Sequence, residues 1–102
     1  MLYYYWQSVI TRYIFLMNKI SWHNRARKQI KRIPKQYRES ILDCVDLLVT
    51  FPKCGQLDIT ELKKHRYDYR LRVGRYRVLF DYTNVVKIIR IQEVKKRDER
   101  TY

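Results

Sequence analysis

Apolar and polar positions alternate most regularly over residues 67–82, in the run YDYRLRVGRYRVLFDY. Two stretches rich in Val, Leu, Tyr and Phe flank Gly74-Arg75. A glycine at the first central position of a two-residue loop predicts a type II′ hairpin turn. That turn pairs Val73 with Tyr76, Arg72 with Arg77, Leu71 with Val78 and Tyr69 with Phe80. Successive side chains of a strand point to opposite faces, and directly opposed residues share a face. One predicted face therefore carries Tyr69, Leu71, Val73, Tyr76, Val78 and Phe80. The other carries Arg70, Arg72 and Arg77 with Leu79 and Asp81.

Upstream the period changes. Ala26, Ile30 and Ile33 recur at helical spacing over residues 23–33, among five lysines and arginines. Pro34 ends this helix and suits the start of the next. The second helix carries Tyr37, Ile41, Cys44, Val45 and Leu48 on one stripe, widened by Leu42 and Phe51, and stops before Pro52. Two amphipathic helices joined by a tight proline turn form a hairpin that can cover one face of a sheet. Ile20-Ser21-Trp22 reads as a first strand, residues 59–62 as a short one, and Thr83-Asn84 as a turn leading to a strand over residues 85–94. The period of this last strand is mixed: Val86 and Ile88 point one way, Ile89 and Ile91 the other. Either a bulge or a strand covered on both sides accounts for that. The predicted class is α+β: a small twisted antiparallel sheet built from a strand, a helical hairpin and a three-strand meander, with the two helices packed on one face.

Residues 1–16, MLYYYWQSVITRYIFL, stand apart: aromatic and aliphatic, with Arg12 as their one charge. They are too short for a membrane span, which needs about 20 apolar residues, and lack the basic leader and cleavage site of a signal peptide. The preferred reading makes Met17 the working start, with residues 1–16 a hydrophobic extension lying upstream of the domain of residues 17–102. The alternative is an added helix or a membrane-surface segment.

Composition narrows the partners. At 102 residues the chain is one domain with a modest core, and 46% hydrophobic content predicts a folded one. A net charge of +13, from 23 Lys and Arg against 10 Asp and Glu, favours a polyanionic partner, nucleic acid or acidic protein, over a membrane. Cys44 and Cys54 form no Cys-x-x-Cys pair, which argues against a disulfide framework and for the cytoplasm. Cys54, His23 and His65 have no metal-ligand spacing, and both histidines are expected at the surface.

The arginine face admits two readings. Opposed like charges destabilise a hairpin, so it is either a solvated face whose side chains splay apart, with Asp81 offsetting the repulsion, or an anion site. Three guanidinium groups on a rigid sheet suit phosphate. Phosphate loops, Ser/His/Asp sets, paired-carboxylate clefts and metal clusters are not evident, and no cofactor is implied. What remains is a density of Arg, Lys and Tyr near strand ends. Such a set can promote attack by an RNA 2′-hydroxyl on its adjacent phosphate, where the substrate brings its own nucleophile. Arginine stabilises charge but gives up protons poorly, its pKa lying above about 12. Lys96 and Tyr102 are therefore the better proton-transfer candidates, unless the tail is simply a frayed basic terminus.

The run Tyr69-Arg70-Leu71-Arg72-Val73-Gly74-Arg75-Tyr76-Arg77-Val78, with the ending Lys95-Lys96-Arg97 to Tyr102, resembles the RelE/ParE superfamily of toxins from type II toxin–antitoxin pairs. Ile20-Ser21-Trp22, residues 26–34 and Phe51-Pro52 support the likeness, which covers residues 20–102. The RelE-like branch implies a ribosome-dependent endoribonuclease, an mRNA interferase that stops translation by cutting messages in the decoding site. On that resemblance the catalytic set is Arg70, Arg72, Arg77, Lys96, Arg97 and Tyr102, with Arg75, Lys95 and Arg100 as further RNA contacts. Arginine stands at strand positions where some relatives carry lysine. The resemblance also implies a cognate antitoxin encoded adjacently, mRNA and the ribosome as partners, operator DNA bound only by the toxin–antitoxin complex, and no membrane. ParE-like members share the fold and poison DNA gyrase. An inactive relative that binds only antitoxin or nucleic acid is the third class.

Overall fold

The structure, a computed structural model, describes residues 17–97. The extension of residues 1–16, together with Arg100 and Tyr102, lies outside the described residues. Strand β1 (Lys19–Trp22) leads into helices α1 (Asn24–Lys31) and α2 (Lys35–Asp46) and a 3₁₀ turn (Leu47–Thr50). Strands β2 (Asp58–Glu61), β3 (Tyr69–Val73), β4 (Tyr76–Thr83) and β5 (Ile88–Lys96) follow. They form one sheet in the order β1-β5-β4-β3-β2.

The α+β class, with a helical hairpin ahead of a meander, is the one expected. The sheet is mixed, however: β2 to β5 pair antiparallel, whereas β1 runs parallel to β5. The helical hairpin carries the chain from β1 to the far edge of the sheet, and three reversals then return β5 to β1 in the same direction.

Local chemistry sets the helix ends. His23 is the N-cap of α1, its Nδ1 accepting from Arg25 N at 3.0 Å. At the other end Arg32 N and Ile33 N donate to the carbonyls of Gln29 (3.1 Å) and Ile30 (3.2 Å). This tightened turn closes the helix two residues before the predicted end. Pro34 then caps α2. Asn18, 6% exposed, donates from Nδ2 to Leu48 O (3.1 Å) and Phe51 O (2.8 Å), and from its backbone N to Val49 O (2.9 Å). One buried amide thus satisfies carbonyls that the 3₁₀ turn leaves open.

The core lies between the helices and one face of the sheet. Ala26, Ile30, Ile41, Val45, Leu48 and Phe51 pack against Leu71, Val78, Phe80, Ile89, Ile91 and Val94. Phe51 meets Tyr69, Phe80 and Tyr82 edge-on, with ring centroids 4.9, 5.5 and 5.0 Å away. Tyr37 and Leu42 are exceptions to the predicted stripe: both are exposed at the rim, where the Tyr37 ring leans on Tyr76.

Strand β5 departs most from simple alternation. Leu79 pairs with Glu93 but Phe80 pairs with Ile91, leaving Gln92 as an extra residue. Of the two explanations for the mixed period, the bulge is the one observed. It lets Ile89, Ile91 and Val94 all reach the core. The strand also begins later than expected, at Ile88. Residues 84–87 form the turn, with Lys87 at φ 55° and Val85 and Val86 exposed. Where β1 stops, α1 covers the edge of β5: Gln29 Oε1 accepts from Val94 N at 2.7 Å, and His23 N donates to Ile91 O at 2.9 Å.

No helix among the described residues is long and apolar enough to cross a membrane.

Candidate functional site

The site begins with the central hairpin, whose register is the one its sequence predicts, from Tyr69 opposite Phe80 to Val73 opposite Tyr76. Gly74 has φ +57° and Arg75 is not in the positive-φ region, as a type II′ turn requires. Leu71, Val78 and Phe80 are fully buried on the helix side. Arg70, Arg72 and Arg77 therefore share the opposite face, with Arg72 directly facing Arg77.

On that face Leu79 is buried between Arg70 and Glu93 of the flanking strands. Asp81 does not offset the arginines. Its carboxylate accepts from Asp68 N at 2.8 Å and from Gln92 Nε2 at 3.0 Å, farther along the strand. Among the described residues no salt bridge involves Arg70, Arg72, Arg77 or Arg97, although Asp58, opposite Arg72 on β2, acts on Arg70 from a longer distance.

Arg70 is the most constrained of the four. Its Nε is buried and has no hydrogen-bond partner among the described residues. Burial first, and then repulsion from Arg72, Arg77 and Arg97, push its guanidinium below the usual arginine range, with Asp58 opposing. An unsatisfied buried donor costs about 1–3 kcal/mol, more when charged.

The bulge decides which residues of the basic ending join the face. Strict alternation from Ile89 and Ile91 would turn Lys95 toward the helices and Lys96 toward the arginines. With Gln92 inserted, Lys95 pairs with Arg77 and shares its face, whereas Lys96 pairs with Tyr76 on the other. The structure thus joins Arg70, Arg72, Arg77 and Lys95 on one face and separates Lys96 from them. Arg97 N donates to Arg75 O at 2.6 Å, tying the end of β5 to the hairpin turn. Arg75 itself is exposed in that turn.

A second polar group borders the arginines, and the sequence reading did not identify it. Glu93, its side chain 12% exposed, holds Lys95 Nζ at 3.5 Å and Arg25 Nε at 3.8 Å. Tyr67, in the loop before β3, is 5% exposed; its hydroxyl accepts from Arg25 Nη2 at 3.2 Å and interacts with Glu93. Burial alone would raise the Glu93 carboxyl, but Tyr67, Lys95 and Arg25 outweigh it and hold it below the usual carboxylate range. Burial and Glu93 push the Tyr67 phenol up. Arg25 comes from the first turn of α1, so no sequence period connects these four residues.

A cavity of about 370 Å³ opens elsewhere, lined by Phe51, Pro52, Cys54, Gly55, Leu57, Ile59, Glu61 and Tyr69. It contains none of the arginines. His65 is exposed, and its Nδ1 accepts from Tyr67 N at 3.0 Å.

Comparison with known proteins extends this picture. A family model described as ParE toxin of type II toxin-antitoxin system, parDE, matches residues 20–99. Among solved structures, the chain is similar to one from the archaeal RelE–RelB complex of Pyrococcus horikoshii. The two are 27% identical with a TM-score of 0.70, over 81% of this chain and 98% of that one. A chain of the RelB–RelE antitoxin–toxin complex from Methanococcus jannaschii is 23% identical over 76% of this chain and 90% of that one, with a TM-score of 0.63. The isolated E. coli RelE toxin is 14% identical over 82% and 88%, with a TM-score of 0.67. At the last two identities the likeness is one of fold. No curated protein sequence matches the chain.

Proposed function

This chain belongs to the ParE toxin family of type II toxin–antitoxin systems, and within the wider superfamily we propose, on the strength of its arginine face, that it is a ribosome-dependent endoribonuclease that cuts messenger RNA and so inhibits translation. The observation that carries the reading is the arginine face itself. Arg70, with its orphaned Nε, stands beside Arg72, Arg77 and Arg97, and among the described residues none of the four is salt-bridged. Guanidinium groups gathered on one sheet face without salt-bridged carboxylate partners suit the charge of a crowded, doubly charged phosphorane. Guanidinium groups bind phosphate oxygens in pairs and stay charged throughout.

In this reading the RNA 2′-hydroxyl attacks the adjacent phosphorus and the 5′-oxygen leaves, giving a 2′,3′-cyclic phosphate and a 5′-hydroxyl end. Arg70, Arg72, Arg77 and Arg97 hold the phosphate. Tyr102, outside the described residues, remains a proposed proton-transfer or stacking group, and Arg75 and Arg100 proposed RNA contacts. Lys96, across the sheet, is left out of this set. The RelE–RelB complexes among the similar structures support an antitoxin partner. A chain of net charge +13 suits an acidic one.

The matching family is described as ParE, which favours a second reading: a toxin that leaves RNA intact and acts on DNA gyrase. Mapping 5′ ends of cellular messages after brief induction separates the two. Discrete cuts inside translated codons support the ribonuclease, whereas intact messages with gyrase-linked DNA breaks overturn it.

A further inference from the structure

Cleavage of an RNA backbone needs a proton for the departing 5′-oxygen, and arginines are poorly suited to give one. An ammonium releases its proton about two or more pKa units more readily than a guanidinium. Among the described residues of the three adjoining strands β3, β4 and β5, the arginine face carries one ammonium, that of Lys95; Lys19, on the same side of the sheet, stands on the edge strand β1 beside Ile88. The Gln92 bulge turns this side chain toward the arginines, directly opposite Arg77. Its Nζ lies 3.5 Å from Glu93, and it remains about half exposed, able to meet a substrate. Glu93 is in turn held by Arg25 and Tyr67, so the ammonium has a fixed partner beside it on β5 while about half of the Lys95 side chain is exposed.

We propose that Lys95 is the general acid of the cleavage step, with Glu93 as the residue that positions it. The assignment rests on the ribonuclease reading above. As the 2′-oxygen forms its bond to phosphorus, its proton passes to solvent. As the bond from phosphorus to the 5′-oxygen breaks, a proton from Lys95 Nζ moves to that oxygen, and the amine regains one from water. Arg70, Arg72 and Arg77 stabilise the extra negative charge on the phosphorane oxygens meanwhile and transfer no proton. Glu93 touches no reacting atom; it limits where Nζ can go.

The test replaces the leaving atom. The cut position is first mapped on an unmodified message bound to programmed ribosomes. A second message then carries sulfur in place of the bridging 5′-oxygen at that position, because a thiolate leaves without protonation. The wild-type chain, Lys95→Arg and Lys95→Ala are compared on both messages in single turnovers. Lys95→Arg keeps the charge and loses the usable proton. It is expected to cut the oxygen message about 10²- to 10⁴-fold more slowly than wild type, and the sulfur message at nearly the wild-type rate. Lys95→Ala should recover most of its loss on sulfur as well. Equal losses on the two messages would make Lys95 a contact for charge or binding alone and overturn the assignment, as would wild-type rates for Lys95→Arg on the oxygen message. A wild-type chain that cuts neither message overturns the ribonuclease reading itself, and this assignment with it.

Discussion

Arg72 on β3 stands directly opposite Arg77 on β4, and among the described residues no carboxylate forms a salt bridge with either. Two like charges placed this way weaken the hairpin they belong to. The same hairpin is otherwise consistent at every level: its turn glycine, its alternation and its packed face agree. A local conflict inside an otherwise consistent element is expected at a functional site.

Removing either charge should therefore separate stability from function. Arg72→Ala and Arg77→Ala are expected to unfold at the wild-type urea concentration or slightly above it, gaining a few tenths of a kcal/mol at most. Both should lose toxicity when induced in growing cells. A variant that stays fully toxic, or that unfolds, would contradict the anion-site reading.

Arg70 gives a sharper version of the same trade. Arg70→Met keeps a long side chain over the sheet and removes the buried, unpartnered Nε. Stability should rise by roughly 1 kcal/mol while message cleavage is lost. A fall in the denaturation midpoint would mean that the guanidinium is well satisfied in the folded chain.

Glu93 predicts a pH dependence. Its folded pKa lies below the ordinary value, so it contributes stability above about pH 4.3, the usual glutamate pKa. That contribution disappears as pH falls through the lower folded pKa. Glu93→Gln should be less stable than wild type at pH 7 by about 1–2 kcal/mol, given the charged hydrogen bonds lost. The gap should close under acid conditions below about pH 4. A gap that is constant from pH 7 to pH 3 would show that packing, and not charge, is what Glu93 supplies.

How much was legible in the sequence depends on whether a residue's surroundings are local. The central hairpin was legible because its turn, its alternation and its opposed pairs all lie within residues 67–82. The two helices were legible from Ala26, Ile30, Ile41 and Val45, all buried at helical spacing. The parallel pairing of β1 with β5 was not, since it depends on how many reversals separate them. The face occupied by Lys95 and Lys96 was hidden for a different reason. One inserted residue, Gln92, exchanges the two sides of everything after it. The group of Arg25, Tyr67, Glu93 and Lys95 joins a helix, a loop and a strand up to 70 positions apart, and no short-range pattern marks it.

The domain is expected to be self-sufficient from Met17 onward. Asn18 already closes the 3₁₀ turn onto the start of β1, and the periodic pattern of the core begins with Ile20. A chain starting at Met17 should fold and be as toxic as the full chain. Loss of secondary structure on that truncation, read by circular dichroism, would make residues 1–16 part of the fold.

The central claim is that the arginine face cleaves messenger RNA held on the ribosome. Its most direct test is a single-turnover assay with purified chain, programmed ribosomes and an end-labelled message, run beside Arg77→Ala and beside the same message free in solution. The account predicts one discrete cut with a 2′,3′-cyclic phosphate and a 5′-hydroxyl end, dependent on the ribosome and abolished in the variant. A message left intact by the wild-type chain, or cut equally well by Arg77→Ala, would contradict it.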